Sequence, residues 1–132
     1  GHGYTYSGHP VGAAAALAAI AETRHLNVVT NAAARGTQLY DGMVSLAGQY
    51  PVVGDVRGGH GLMTAMELVA DRETKAPIDG TLAIKMQKAA YQAGALIRVS
   101  GPNVILSPSL VIEEADIDIA LNAVEEGLKA IS

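Results

Sequence analysis

The stretch PVVGDVRGGHGLMTAMELVA constrains the fold more than any other part of the sequence. It contains two short apolar or alternating runs, Val52–Val56 and Leu62–Val69, which are joined by the glycine-rich turn Arg57–Gly61. Two such runs joined by a short glycine turn are typical of a β-hairpin. The segment ALIRVSGPNVILSPSL repeats the pattern around the turn Ser100–Asn103, which predicts a second hairpin. The chain is therefore expected to build a small, mostly antiparallel sheet.

The segments outside the hairpins have the periodicity of helices. Pro10 suits a first helical turn, and Ala13–Arg24 consists mostly of strong helix formers. A second helix is predicted over residues 27–47, although Gly36 and Gly42 each cost it about 1 kcal/mol relative to alanine, so tertiary packing must support it. Two further helices are predicted, over Thr81–Ala93 and along the apolar positions Ile117, Ala120, Leu121, Val124, Leu128 and Ile131.

Helices that precede, separate and follow two hairpins predict an α+β fold, in which the helices cover the small sheet. The length of 132 residues and the apolar fraction of 49% fit one globular unit. The formal net charge is −4 and the nine basic residues are scattered, so neither nucleic acid nor a membrane surface is an expected partner. The absence of cysteine excludes disulfides and thiolate metal sites, and it is compatible with a cytoplasmic location.

The first residues, GHGYTYSGHP, form a turn rich in glycine and hydroxyl groups that leads directly into an alanine-rich helix. Free backbone N–H groups and the positive end of a helix make such a turn suitable for an anion. The alternative is structural, with Thr5 and Ser7 merely capping a turn. The local residues alone leave both interpretations open.

Three segments together carry a family resemblance. GYTYSGHPVGAAAALAAI, VVGDVRGGHGLMTAMELV and ALIRVSGPNVILSPSLVIEEADID resemble the carboxy-terminal part of class III aminotransferases, the omega-transaminase group of fold type I pyridoxal-phosphate (PLP) enzymes. They occur in the order and spacing of that family. Such enzymes are several times longer and carry their cofactor-bound lysine upstream. The resemblance therefore implies that this chain is a carboxy-terminal fragment without the catalytic lysine.

The resemblance also implies a division of the chain. Residues 1–50 would hold the phosphate-binding turn and connecting helices. Residues 51–132 would form the small α+β domain found at the carboxy terminus of fold type I aminotransferases, and both parts would belong to one compact fragment.

In the family pattern T-x-x-G-[HN]-P, which residues 5–10 match, the threonine hydroxyl and a neighbouring backbone N–H hold the phosphate of PLP bound to the partner subunit. A hydroxyl donor suits a phosphate oxygen, and glycine allows close approach of the backbone. The cofactor-binding residues that the resemblance implies are Gly3, Tyr4 and Thr5.

Arg98 occupies, with Gly101, the R-x-x-G position where many omega-transaminases place a mobile arginine that pairs with the substrate's carboxylate. Guanidinium and carboxylate match as a two-pronged ion pair. Arg98 is therefore the implied substrate-binding residue. The alternative is an arginine at a strand edge that faces solvent or a structural acid.

The remaining polar residues favour structural roles. The acids at the start of the last helix suit the positive end of its dipole, and Glu67 lies within a predicted strand, where it could face a structural partner. No catalytic residue is expected among Lys75, Lys85, Lys88 and Lys129, which lie among charged neighbours. No metal site is expected, because the spacing of His2, His9, His25 and His60 does not suit metal ligands.

The function that the resemblance implies is transfer of an amino group between an amine or amino acid and an oxo acid through PLP. The fragment would bind the cofactor phosphate across a dimer, line part of the substrate pocket and be inactive alone. Its implied partners are the upstream large domain and further copies in a homodimer or tetramer. The alternatives are another fold type I activity, such as an aminomutase or a decarboxylase, and a non-catalytic binding or dimerisation module.

Overall fold

A computed structural model describes all of residues 1–132 and contains four helices and five strands. The predicted helices and both hairpins are present in the predicted order. The segment between the first hairpin and the third helix also contains a two-residue strand, which pairs with the end of the preceding strand. The elements are α1 (Pro10–His25), α2 (Val28–Gln49), β1 (Val53–Arg57), β2 (Thr64–Asp71), β3 (Ala76–Pro77), α3 (Gly80–Gln92), β4 (Arg98–Ser100), β5 (Asn103–Leu106) and α4 (Glu114–Ile131).

The sheet is antiparallel, with the strand order β1-β2-β5-β4 and β3 paired to β2. The two hairpins, β1–β2 and β4–β5, meet where β2 pairs with β5. Met66 lies opposite both Val56 and Val104, and Val104 lies opposite Val99. This cross-strand row faces the core. The strands β1 and β4 form the two edges of the sheet.

The core lies between one face of the sheet and the helices α2, α3 and α4. Helix α2 contributes Leu39 and Met43, α3 contributes Met86, and α4 contributes Leu128, all of them fully buried. The core is aliphatic and methionine-rich because the chain has no Phe or Trp. Burial of this apolar surface supplies the main driving force for the fold.

Two polar side chains bind the backbone at helix ends, and one of them joins a helix to the sheet. Asp79 precedes α3 and accepts hydrogen bonds from the backbone N–H and the hydroxyl of Thr81, both at 2.9 Å. Arg72 extends from the end of β2 and donates to the carbonyls of Ala47 and Tyr50 at the end of α2, at 2.6 and 3.1 Å. These are N-cap and C-terminal interactions that satisfy the backbone groups a helix end leaves free.

Helix α1 differs from the other three because none of its residues is buried. Asn27, in the left-handed conformation with φ of +49°, links α1 to α2. The apolar side chains of Val11, Leu17 and Ile20 remain exposed on α1. The core is therefore built by the chain from Val28 onward. None of the helices combines the length and the apolar character needed to cross a membrane.

Candidate functional site

The segment before α1 forms a tight turn. The backbone N–H of Ser7 donates to the carbonyl of Tyr4 at 2.9 Å, and the N–H of Tyr4 donates to the Ser7 hydroxyl at 3.1 Å. Gly8 has φ of +74°, a left-handed conformation that favours glycine. Ser7 therefore has the structural role that was the alternative for this turn.

Thr5 has no such role within the chain. Its side chain is exposed, and neither its hydroxyl nor its backbone N–H makes a hydrogen bond. No Asp or Glu occurs before Glu22, so no carboxylate within the turn would repel an anion. Helix α1 begins at Pro10, and the partial positive charge at its amino terminus would also attract an anion. The donor set at this turn fits a phosphate group.

A second polar surface lies on the sheet, on the face opposite the core. Directly opposed residues of an antiparallel sheet point to the same face, so two cross-strand rows share this surface. None of their side chains is buried. The first row consists of Arg57, Ala65, Ile105 and Arg98, and the second consists of Asp55, Glu67, Asn103 and Ser100. We call this surface the open sheet face.

Arg57 is fully engaged on the open sheet face. Its Nη1 donates to Asp55 at 2.9 Å and to Glu67 at 2.6 Å, and its Nη2 donates to the Oδ1 of Asn103 at 2.7 Å. The hydrogen bond with Glu67, followed by that with Asp55, raises the pKa of Arg57 above its usual value. Glu67 thus has the structural partner that its place in a strand predicted.

Arg98 has no partner in the chain. It begins the edge strand β4, its side chain is exposed, and it makes no ion pair or hydrogen bond through its guanidinium group. Arg57 and Arg98 stand at opposite ends of one cross-strand row, three strand spacings or about 14 Å apart. Of the two alternatives for Arg98, no structural acid contacts it in this chain, and its exposed side chain agrees with an arginine that faces solvent. Of the two arginines, only Arg98 is free to bind an added carboxylate.

A groove of about 220 Å³ lies beside Arg98 and is lined mostly by apolar residues, among them Ile97, Ile105 and Pro108. A guanidinium at the margin of an apolar groove suits a ligand with an anionic end and an apolar body. Thr5, in the exposed segment before α1, is not among the residues that line this groove. The two predicted site residues therefore belong to separate surfaces of the chain.

The remaining titratable residues form no further centre. Lys129 pairs with Glu126 at 2.8 Å, which raises the pKa of Lys129, and Lys75 donates to the carbonyl of Gly54. All four lysines are exposed. No group of three His, Asp or Glu side chains is arranged to hold a metal ion.

Sequence reasoning missed the role of Arg57 and Asn103. Both residues occupy polar positions in strands whose residues alternate between apolar and polar. This alternation places their side chains on the solvent side of the sheet. The pairing of β2 with β5 brings them together, and these strands are separated in the chain by α3. Only the register between the two hairpins could have revealed the contact.

Residues 1–128 match the sequence family described as Aminotransferase class-III. The chain belongs to this family. Its relatives include the taurine–pyruvate aminotransferase of Bilophila wadsworthia, which is 37% identical over 96% of the chain and 29% of its own length. The leucine/methionine racemase of Thermococcus litoralis is 34% identical over 97% of the chain and 29% of its own length.

Solved transaminase structures share the fold of this chain. An amine transaminase from an uncultivated Pseudomonas species, determined in a PLP-bound form, superposes with a TM-score of 0.89. It is 38% identical and is matched over 99% of the present chain and 30% of its own. This class-III aminotransferase chain thus spans less than a third of the length of the relatives named here.

Proposed function

We propose that this chain is the carboxy-terminal part of a longer PLP-dependent aminotransferase, which transfers an amino group between an amine or amino acid and an oxo acid. The family match over residues 1–128 carries this proposal. When bound, PLP supplies the electron sink for the reaction. The tasks of this chain are to bind the cofactor phosphate and to orient the substrate.

Thr5, with Gly3 and Tyr4, is the proposed phosphate-binding site. The free hydroxyl and N–H of Thr5 support this role, as does the amino terminus of α1. Glycine at position 3 has nothing within 4 Å of where a side chain would begin, so the backbone there is accessible to a large anion. Following the family pattern, we propose that the phosphate belongs to the PLP of the partner subunit in a homodimer or tetramer.

Arg98 is the proposed contact for a substrate carboxylate. Its unpaired guanidinium and the neighbouring apolar groove support this role. An amino acid or oxo acid would bind with its carboxylate at Arg98 and its reacting carbon at the cofactor, whereas a simple amine would not use the guanidinium. Because a guanidinium also binds sulfonate oxygens, a substrate resembling the taurine named for the Bilophila relative is compatible with the same contact.

None of the four lysines supports a catalytic role, because each is exposed and nothing near it removes water from the amine. We therefore propose that the upstream large domain supplies the catalytic lysine and that the present chain is inactive alone. We also propose a cytoplasmic location for the enzyme.

The complete enzyme tests the function. Amine consumption should require PLP and an oxo acid, and the amino group should appear on the oxo acid in equal amount. Light scattering should give the mass of a dimer or tetramer. Amine consumption without an oxo acid would contradict amino transfer.

A second activity has specific support, because one relative that matches almost the whole chain is named a racemase. A racemase would interconvert the two enantiomers of an amino acid with no oxo acid present. Chiral chromatography of a single enantiomer incubated with the complete enzyme distinguishes the two activities. A non-catalytic module would show neither reaction.

A further inference from the structure

One side chain connects three strands of the open sheet face. Arg57 belongs to the edge strand β1, and its guanidinium reaches Glu67 on β2 and Asn103 on β5. Asp55 holds the same guanidinium from within β1. Charge-assisted hydrogen bonds from a planar guanidinium fix direction as well as distance. Arg57 therefore ties the first hairpin to the second.

The tie continues into the turn that joins β4 to β5. Ser100 and Asn103 pair through the backbone across the turn, and the Nδ2 of Asn103 adds a hydrogen bond to the carbonyl of Ser100 at 3.3 Å. Asn103 thus accepts from Arg57 with one atom of its amide and reinforces the turn with the other. Loss of Arg57 would free the amide from the orientation that reinforces the turn.

The second hairpin carries Arg98 at its far edge. The strand β4 has only three residues and pairs with β5 alone within the sheet. Its place relative to the rest of the sheet therefore depends on β5 and on the turn, together with helix α3, from which Gln87 donates to the carbonyl of Ile97 at 2.7 Å. A shift of the turn would move Arg98, which lies two residues before Ser100 in the same strand.

We infer that Arg57 is a positioning residue for Arg98: through Asn103 and the Ser100–Asn103 turn, it holds β4 where Arg98 can meet a substrate carboxylate. The inference rests on the proposed role of Arg98. It assigns no contact between Arg57 and the substrate, because the guanidinium of Arg57 is already shared among two carboxylates and an amide.

The test uses Arg57→Lys in the complete enzyme. Lysine keeps a positive charge near Asp55 and Glu67, but a single ammonium group cannot reproduce the fork that also reaches Asn103. The KM for a carboxylate-bearing donor should rise about three- to tenfold, since residues linked through a hydrogen-bond network and a backbone shift couple at this level. The kcat for that donor, and the KM and kcat for a simple amine, should change less than about twofold.

A double-mutant cycle gives the second readout. In an Arg98→Ala background, Arg57→Lys should have no further effect on the KM for the carboxylate donor, because the group that it positions is absent. Asn103→Ala should likewise raise the KM for the carboxylate donor and spare the simple amine. It replaces Arg57→Lys if that variant does not fold.

Arg72→Lys is the matched control. Arg72 also forks onto three groups, but these are carbonyls near the end of α2 and on β1. Arg72→Lys should lower the free energy of unfolding. Its effect on KM should not differ between the carboxylate-bearing donor and the simple amine.

Three results would overturn the inference. Equal damage to both substrate classes would make Arg57 merely structural, and effects that add to those of Arg98→Ala would make the two residues independent. If Arg98→Ala itself spares the carboxylate donor, the role of Arg98 fails and the inference fails with it. A complete enzyme that transfers no amino group instead contradicts the proposed function, and this is seen before any variant is measured.

Discussion

Gly36 of helix α2 lies directly against the backbone of Gly61 in the turn between β1 and β2. A β-carbon on residue 36 would overlap the carbonyl oxygen of Gly61 and stand 2.8 Å from its Cα atom. The missing side chain therefore lets α2 approach the glycine turn that joins β1 to β2. Glycine lowers the helix propensity at residue 36, but it allows this close packing.

Gly36→Ala should destabilise the fold. Overpacking against backbone atoms costs about 1–3 kcal/mol, which over most of that range outweighs the gain of about 1 kcal/mol in helix propensity. Urea unfolding followed by circular dichroism measures the difference. Gly48→Ala is the control in the same helix, because nothing lies within 4 Å of the added carbon. It should leave stability unchanged or raise it by up to about 1 kcal/mol. Equal effects at the two positions would contradict the close packing at Gly36.

Thr5→Val should weaken cofactor binding by the complete enzyme. The substitution keeps the shape of the side chain but removes the hydroxyl, and a hydrogen bond to a charged group contributes about 1.5–3 kcal/mol. The dissociation constant of PLP should therefore rise about tenfold or more. Thr23→Val makes the same change on α1, where the hydroxyl only donates to the carbonyl of Ala19. It should leave PLP affinity unchanged, and an unchanged affinity for Thr5→Val would mean that the turn is only structural.

Arg98→Ala should impair the use of substrates that carry a carboxylate more than the use of substrates that lack one. Loss of a charge-assisted pair costs on the order of 1.5–3 kcal/mol, so the KM for amino-acid or oxo-acid substrates should rise. Simple amines without a carboxylate should react nearly as before, because they do not use the guanidinium. Steady-state kinetics with one donor of each class makes the comparison. Equal damage to both classes would indicate a structural arginine, and no damage to either would leave Arg98 in solvent.

Asp79 should contribute to acid sensitivity. The hydrogen bonds from the backbone N–H and then the hydroxyl of Thr81 lower the pKa of Asp79 below its ordinary value of 3.8. The carboxylate therefore stabilises the fold fully above that ordinary value, and the contribution disappears as the pH falls through the lower, folded-state pKa. Asp79→Asn keeps an acceptor at the helix start but does not titrate. The free energy of unfolding, measured between about pH 2 and pH 6, should depend less on pH in Asp79→Asn. An unaltered pH dependence would contradict this contribution.

The elements were predictable because their signals are local. Period-two and period-3.6 patterns, Pro10 at the start of α1 and Gly94 after α3 act over a few residues, and the structure has helices and hairpins in these places. The bounds shifted by a few residues at most helix ends, where the hydrogen bonds of a helix give way to those of a turn. Thr5 and Arg98 were singled out through short motifs of the family resemblance, and their roles stay predictions.

The sequence by itself thus determined the α+β class, the order of the elements and the family. Only the tertiary structure decided that β2 pairs with β5, which brings Arg57 onto Asn103, and that α2 rests on Gly61, which accounts for Gly36. It also decided that Arg98 has no acid partner, while Arg57 has two. The physical reason is that alternation along a strand fixes the face on which a side chain lies. The register between strands distant in sequence depends instead on how the whole core packs.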